Sequence, residues 1–340
     1  MKRFGSLYEK IYDINNIRLA HSNARKGKSR YSEVKRVDAN PEYYFLQIQN
    51  MLRDKTFKNA EYHVFKRMFG KKEREIFKLP YFPDRIIHHC IMQILEPVWN
   101  KVLIRDTYSS LKGRGIHDGL KRVRNALKKD SNKYCLKFDI QKFYPSVDHG
   151  ILKQIIRKKI KCQDTLNLLD TIIDSTSGIP IGNYLSQYFG NLYLTYFDHW
   201  MKEEKGCSGY FRYCDDVVVL SDNKTVLHCL FKEIEIYLKV NLNLSIKKNW
   251  QVFPIAIRGI DFLGYRIFAD YCLLRKSIAT NFKKKVAFIK KNYLHMTSSQ
   301  IVNGIMSYKG WMKWADTNNL FQKYINTPLI KIMLFSKEVL

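Results

Sequence analysis

The chain has 340 residues, 46% hydrophobic and 14% aromatic, which suffices for two or three subdomains around a sizeable core and excludes a disordered chain. Lys and Arg number 59 against 31 acids, and a net charge of +28 calls for a polyanionic partner, nucleic acid first and an anionic membrane surface second. No apolar run reaches the roughly 20 residues of a spanning helix, and the opening "MKRFGSLYEKIYDINN" lacks a signal-peptide core, so no membrane role and a cytoplasmic setting are expected.

In chain order, residues 1–60 read as a basic helical extension. Its stretch "ARKGKSRYSEVKRV" (24–37) is expected to be a loop. Such a run is either a solvated face or, with Gly27 and Tyr31 among the cations, a backbone-phosphate contact. "EYHVFKRMFGKKEREIFKLPYFPDR" (61–85) reads as strand, turn at Gly70, strand. "RIIHHCIMQILEPVW" (85–99) reads as an amphipathic helix stopped by Pro97. His88 and His89 lack a partner motif for metal binding and read as structural or as RNA contacts. "YSSLKGRGIHDGLKRVRNALKK" (108–129) is a glycine-punctuated loop entering a basic helix. The seven cysteines are scattered without zinc-site spacing and read as reduced.

"KYCLKFDIQKFYPSVDHGIL" (133–152) reads as a strand carrying Asp139, a turn at Pro145 and a helix capped by Asp148. "TSGIPIGNYLSQYFGNLYLTYFDHWM" (176–201) is a loop entering an aromatic helix. "FRYCDDVVVL" (211–220) reads as a hairpin with Asp215 and Asp216 together at its turn, and a helix over 224–244 follows. "RGIDFLGYRIFADYCLLRKS" (258–277) has hairpin character, and the remainder reads as helices with a basic face over 281–291 and an aromatic cluster over 308–321.

Either acidic feature alone is ordinary turn or cap chemistry. Together, on adjacent strands of a cationic chain, Asp139 and Asp215 would bridge two Mg²⁺ ions about 3.5–4 Å apart. Hard cations of that kind take oxygen ligands and tolerate water in the remaining positions. The chemistry is nucleotidyl transfer.

"KFDIQKFYPSVDH", "GIPIGNYLSQ", "YCDD" and "GIDFLGYRI", in that order, resemble the successive motifs of a reverse transcriptase palm, a likeness covering roughly residues 60–320. Most such families place Gln before the glycine of the second motif and Ser-Pro after it. Here Ile181 precedes Gly182 and Gln187 follows Ser186, which resembles the reverse transcriptases of diversity-generating retroelements. Defence-associated and group II intron-like bacterial enzymes are the near alternatives, and a non-catalytic RNA-binding scaffold is a further one.

The resemblance implies an α+β right-hand polymerase fold with fingers, an antiparallel palm sheet on helices, and a helical thumb. Its expected bounds are an extension over 1–60, fingers over 61–132, palm over 133–257, a palm–thumb hairpin over 258–274 and thumb over 275–340. On those bounds no nuclease, maturase or integrase domain is expected within these residues.

Asp139, Asp215 and Asp216 resemble the metal-binding carboxylates, with the Ile140 carbonyl a further ligand and two Mg²⁺ as cofactor, Mn²⁺ substituting. Tyr144 falls at the steric gate against a 2′-hydroxyl. Ile181, Gly182 and Gln187 fall at the nucleotide site, and Ile181 implies loosened base selection at template adenines. Arg74, with Lys71 or Lys72 beside it, resembles the cation that grips the triphosphate. Lys247, or its neighbour Lys248, resembles a proton donor to pyrophosphate. Arg114 would touch template or nucleotide, while Lys283, Lys284, Lys285, Lys290 and Lys291 would face the template–product duplex. Expected partners are an RNA template, the RNA–DNA hybrid, dNTPs and a small basic oligomeric accessory protein, in a bacterium or in a phage-infected one.

Overall fold

Apolar spacing and caps set the elements of the first half. The computed structural model describes residues 3–70, 72–129 and 131–324. The N-terminal helices are α1 (Tyr8–Ile11), α2 (Ile14–Ala24), α3 (Ser32–Ala39) and α4 (Pro41–Arg53). Asp13 caps α2 by accepting from the Asn15 and Asn16 amides. The expected loop over 24–37 is shorter than the charge pattern suggests: α3 begins at Ser32, because Val34 and Val37 are three apart and both buried. Strands β1 (His63–Phe69) and β2 (Lys72–Lys78) pair antiparallel about Gly70, whose φ of +65° suits a tight turn.

Helix α5 (Ile86–Trp99) carries ten buried side chains, His88 and His89 among them. It passes through Pro97 rather than ending there. The proline lies in the last turn, where its missing N–H removes one bond, while burial of Val98 and Trp99 holds the helix. Helix α6 (Ile116–Leu127) follows the turn at Gly113.

Strand β3 (Tyr134–Asp139) keeps Lys137 and Asp139 on one face, two residues apart. After it come α7 (His149–Arg157), capped by Asp148 on the Ile151 amide at 3.0 Å, and α8 (Gln163–Ile173). Helices α9 (Ser186–Tyr193) and α10 (Thr195–His199) then carry the aromatic run.

Strands β4 (Tyr210–Tyr213) and β5 (Asp216–Ser221), helix α11 (Lys224–Leu242), strand β6 (Gln251–Pro254) and the short α12 (Ile255–Arg258) follow. The four-stranded sheet has the order β4–β5–β3–β6. The expected palm–thumb hairpin is a three-stranded meander: β7 (Ile260–Phe262), β8 (Tyr265–Ile267) and β9 (Cys272–Leu274). The third strand forms because Cys272 and Leu274 are both buried in the period-2 pattern. Helices α13 (Lys276–Asn292), α14 (Ser298–Met312) and α15 (Asn318–Tyr324) close the described chain.

The chain divides into two compact units. The first comprises 1–110, 139–206 and 232–248. Its N-terminal part is organised by a buried relay, in which Tyr81 Oη lies 2.9 Å from His21 Nδ1 and His21 Nε2 lies 2.9 Å from Asp38. The second comprises 111–138, 207–231 and 249–340. There Tyr265 Oη donates to the Trp311 carbonyl at 3.1 Å and meets His117 at 3.1 Å, and the His117 ring stacks on Trp314. Those contacts join α6, β8 and α14.

Candidate active site

The acidic turn belongs to the second unit. Tyr213 pairs with Asp216, so the turn proper is Cys214–Asp215 and Asp216 is the first residue of β5. The sequence reading, which put both acids at the turn, is corrected by that register. A two-residue hairpin turn needs positive φ at one or both central positions, and Cys214 supplies it at 58°. A non-glycine residue there costs about 1–2 kcal/mol. Arg212, fully buried on β4, offsets this by donating from Nη1 to the Cys214 carbonyl at 3.0 Å. Strained backbone held by a buried cation fixes where the two carboxylates stand.

Asp216 is ion-paired across the sheet with Lys137 of β3 at 2.5 Å. The lysine lies 5.6 Å from the centre of the Phe262 ring, which stabilises its charge.

Asp139 belongs to the first unit and is tied down from its other side. Its carbonyl accepts from the Lys247 amide at 2.9 Å, and the Gln141 amide donates to the Ser245 carbonyl at 2.8 Å. Between these bonds Ile140 and Ile246 form an antiparallel bridge of the non-hydrogen-bonded kind, so the Ile140 carbonyl points away from Ile246. Lys247 Nζ stands 3.7 Å from the Asp139 carboxylate.

Within the same unit the residues expected around the nucleotide are clamped together by backbone contacts. The Ile179 amide donates to the Tyr144 carbonyl at 2.8 Å, and the Phe77 amide donates to the Ile181 carbonyl at 2.8 Å. The loop over 178–182 therefore joins the Tyr144 turn to β2, the strand that carries Arg74. Glycine is required at two points of this loop. Gly178 has φ +63°, and a Cβ there would lie 2.6 Å from the Pro145 carbonyl oxygen; at Gly182, with φ +115°, it would lie 2.7 Å from that of Phe77. Tyr144 and Ile181 are half-buried, while Gln187 is exposed on the first turn of α9.

Arg74 is exposed and stands directly opposite Arg67 in the β1–β2 register. The Lys72 backbone lies in β2, and Lys71 lies outside the described residues. In the second unit, Arg114 closes a one-turn bridge with Leu111. The five lysines expected to face a duplex do not share one face of α13. Lys284 and Lys291 lie opposite the buried stripe of Phe282, Val286 and Ile289, whereas Lys283, Lys290 and Lys285 flank it on either side.

Sequence reasoning missed Lys137 and Arg212. The period-2 placement of Lys137 beside Asp139 was a usable signal; the burial of Arg212, in a strand of aromatics, had none.

Among the described residues no group of three or more His, Cys, Asp or Glu is assembled as a metal cluster. Asp139 in the first unit and Asp216 in the second are each a hard oxygen donor of the kind Mg²⁺ takes, with part of its surface open to water and a lysine ammonium drawn to it.

Residues 66–267 match the family described as reverse transcriptase (RNA-dependent DNA polymerase). The chain belongs to that family. Protein YkfC of Escherichia coli (strain K12) is 20% identical over 235 residues, covering 56% of this chain and 62% of that protein. The retron Ec73 reverse transcriptase of Escherichia coli is 23% identical over 253 residues, covering 67% of this chain and 77% of that enzyme. Among solved structures, the telomerase of Candida tropicalis in complex with a TWJ fragment of telomeric RNA superposes with a TM-score of 0.52 at 13% identity, over 81% of this chain and 55% of that one. The shared fold is the α+β right-hand polymerase fold. No helix among the described residues is long and apolar enough to cross a membrane.

Proposed function

We propose that the chain is an RNA-directed DNA polymerase that copies an RNA template into cDNA. The observation that carries this reading is the family match over residues 66–267, within which Asp139, Asp215 and Asp216 all fall. Asp139, Asp215 and Asp216, with the Ile140 carbonyl, are the groups that would hold two Mg²⁺. Metal held there would supply a lowered pKa at the primer 3′-hydroxyl and positive charge against the pyrophosphate.

The chain's own residues do the rest. The Cys214–Asp215 turn and the first residue of β5 present the Asp215 and Asp216 carboxylates on rigid backbone, so little reorganisation is needed when charge develops. Tyr144, fixed through its carbonyl to the Ile179 amide, stands as the gate against a 2′-hydroxyl. Arg74 and Lys72 on β2 are assigned to the triphosphate, and Lys247 to the departing pyrophosphate. Arg114 and the α13 lysines are assigned to the nucleic acid backbone. We assign fingers to 61–132, palm to 133–257 and thumb from 275 onward, with 1–60 as the extension.

The test is extension of a primed RNA template with Mg²⁺ and labelled dNTPs. Asp215→Ala and Asp216→Ala each reduce synthesis at least about 10²-fold with RNA binding retained, as expected for groups acting on developing charge. Undiminished synthesis by both variants overturns the assignment.

The finer reading is a diversity-generating retroelement enzyme, error-prone at template adenines and served by a small basic accessory protein. Ile181 supports it: an apolar side chain makes no polar contact with nucleotide or template. Its backbone carbonyl, not its side chain, holds β2, so Ile181→Gln leaves that bond in place. Sequenced cDNA from Ile181→Gln shows fewer errors opposite adenine; an unchanged error spectrum sinks the subtype.

A further inference from the structure

Inside the first unit lies a cavity of about 180 Å³ that none of the carboxylates above lines. The segment around residues 28–34, the β1–β2 hairpin, the start of α5 and residues 182–184 wall it. Lys28, Arg85, His88, Tyr31, Phe65 and Tyr184 give it cations, one imidazole and aromatic rings together.

Among its described lining residues the one acid is already committed. Glu33 Oε1 accepts from Lys78 at 3.0 Å and Oε2 from the Tyr81 amide at 2.6 Å. A metal ion has no ligand set here, and a cationic ligand would meet Lys28 and Arg85.

Among its described lining residues, two buried polar atoms, His88 Nε2 and Arg85 Nε, lack a hydrogen bond of good geometry, with the Asn183 side chain beside the imidazole. His88 is 2% exposed. Burial pushes its imidazole down to about 3, so the ring is neutral and carries one donor and one acceptor. Leaving such groups unpaired costs about 1–3 kcal/mol each, and unsatisfied buried groups in a folded protein are few. Burial also lowers the pKa of Arg85 and of Lys28, so both cations are partly stripped of water and suited to pairing with an anion.

Tyr184 completes the set. His89 stacks on its ring with centroids 4.0 Å apart and planes 10° apart, which fixes the ring. Tyr184 borders the cavity and His89 does not. A planar ring with hydrogen-bonding edges, attached to phosphate, satisfies all of these groups. The cavity has room for little more than that ring, and Lys28 stands in the run Arg25, Lys26, Lys28, Arg30, along which further phosphates would lie.

We propose that this cavity captures one unstacked base of single-stranded RNA, stacked on Tyr184, with its edge on His88 and Arg85 and its flanking phosphates along Lys28 and its neighbours. Only the choice of RNA as the strand rests on the polymerase reading; the pocket chemistry does not.

The experiment is a coupling cycle on the full chain, without dNTPs. Binding is measured for a dodecaribonucleotide and for a series in which an abasic nucleotide replaces each position in turn. With the wild-type chain one position loses about tenfold, the scale of one stacked base. Tyr184→Leu loses a similar factor on the intact strand and nothing more at that position, whereas Tyr184→Phe binds as wild type does. Independent losses that multiply at every position overturn the pocket, as does coupling confined to the matching deoxyribonucleotide series. As a second measurement needing no variant, 4-thiouridine placed along the strand photo-crosslinks to residues 182–184 from one position only, and crosslinks from none overturn the pocket. Primer extension by the same preparation separates the two readings. Extension with multiplying losses fails the pocket alone, and coupling without extension fails the polymerase alone.

Discussion

Lys137 and Asp216 form a pair whose partners are each less than a quarter exposed, at 22% and 23%, where screening by water is reduced. An ammonium 2.5 Å from a carboxylate oxygen occupies the place that a divalent ion would compete for. The lysine therefore balances the carboxylate charge of Asp216 and would oppose metal entry. Lys137→Met keeps the stem beside Phe262 and removes the charge. The expected outcome is a several-fold fall in the Mg²⁺ concentration giving half-maximal primer extension, with a stability loss of about 1 kcal/mol or less from the missing pair. Mg²⁺ titration of extension, beside thermal unfolding, checks both. An unchanged Mg²⁺ dependence would mean that the ammonium does not compete for the carboxylate.

The loop over 178–182 works as a clasp between two elements rather than as a set of side chains. One end is bonded to the Tyr144 turn and the other to β2 through Phe77. Gly182→Ala must either move the Phe77 carbonyl, 2.7 Å from the new Cβ, or abandon φ +115°. Strain of about 1–3 kcal/mol falls on the clasp. The expected outcome is faster hydrogen exchange at the Phe77 amide and weaker dNTP binding, while the Ile151 amide, bonded to Asp148 in α7, exchanges as before. Equal protection at Phe77 in variant and wild type would show that the clasp tolerates the methyl group. Elements governed by local rules were legible in the sequence: the Gly70 turn, the Asp148 cap and the alternation of β3. Where tertiary burial overrode local signals, the sequence misled. Val34 and Val37 turn a charged run into helix, Val98 and Trp99 carry α5 past its proline, and register rather than composition makes Asp216 a strand residue. Asp215 and Asp216 stand out in the sequence because they are adjacent; Lys137, Arg212 and the cavity beside Tyr184 depend on residues brought together from separate elements.

A net charge of +28 is a property of the whole molecule, and its consequence is steep salt dependence. A chain neutralising six or more phosphates loses about 10³-fold or more in affinity between 50 and 200 mM salt. Which lysines contribute follows from their position on α13. Lys283 lies 5.6 Å from the centre of the Tyr324 ring, and a Cβ at Gly304 would come within 2.8 Å of Lys285 Cε, so the stems of these two pack against α15 and α14. Lys284 and Lys291, opposite the buried stripe, are the pair turned fully outward. Lys284→Gln with Lys291→Gln is expected to shallow the slope of log affinity against log salt by about two for a primed RNA template, one released ion per lost contact. Lys283→Gln with Lys290→Gln is expected to change that slope less. Because each pair removes the same two charges, net charge alone predicts equal effects. Equal slopes would therefore assign the binding to the general field of the molecule, and unequal ones to a defined outer face of α13.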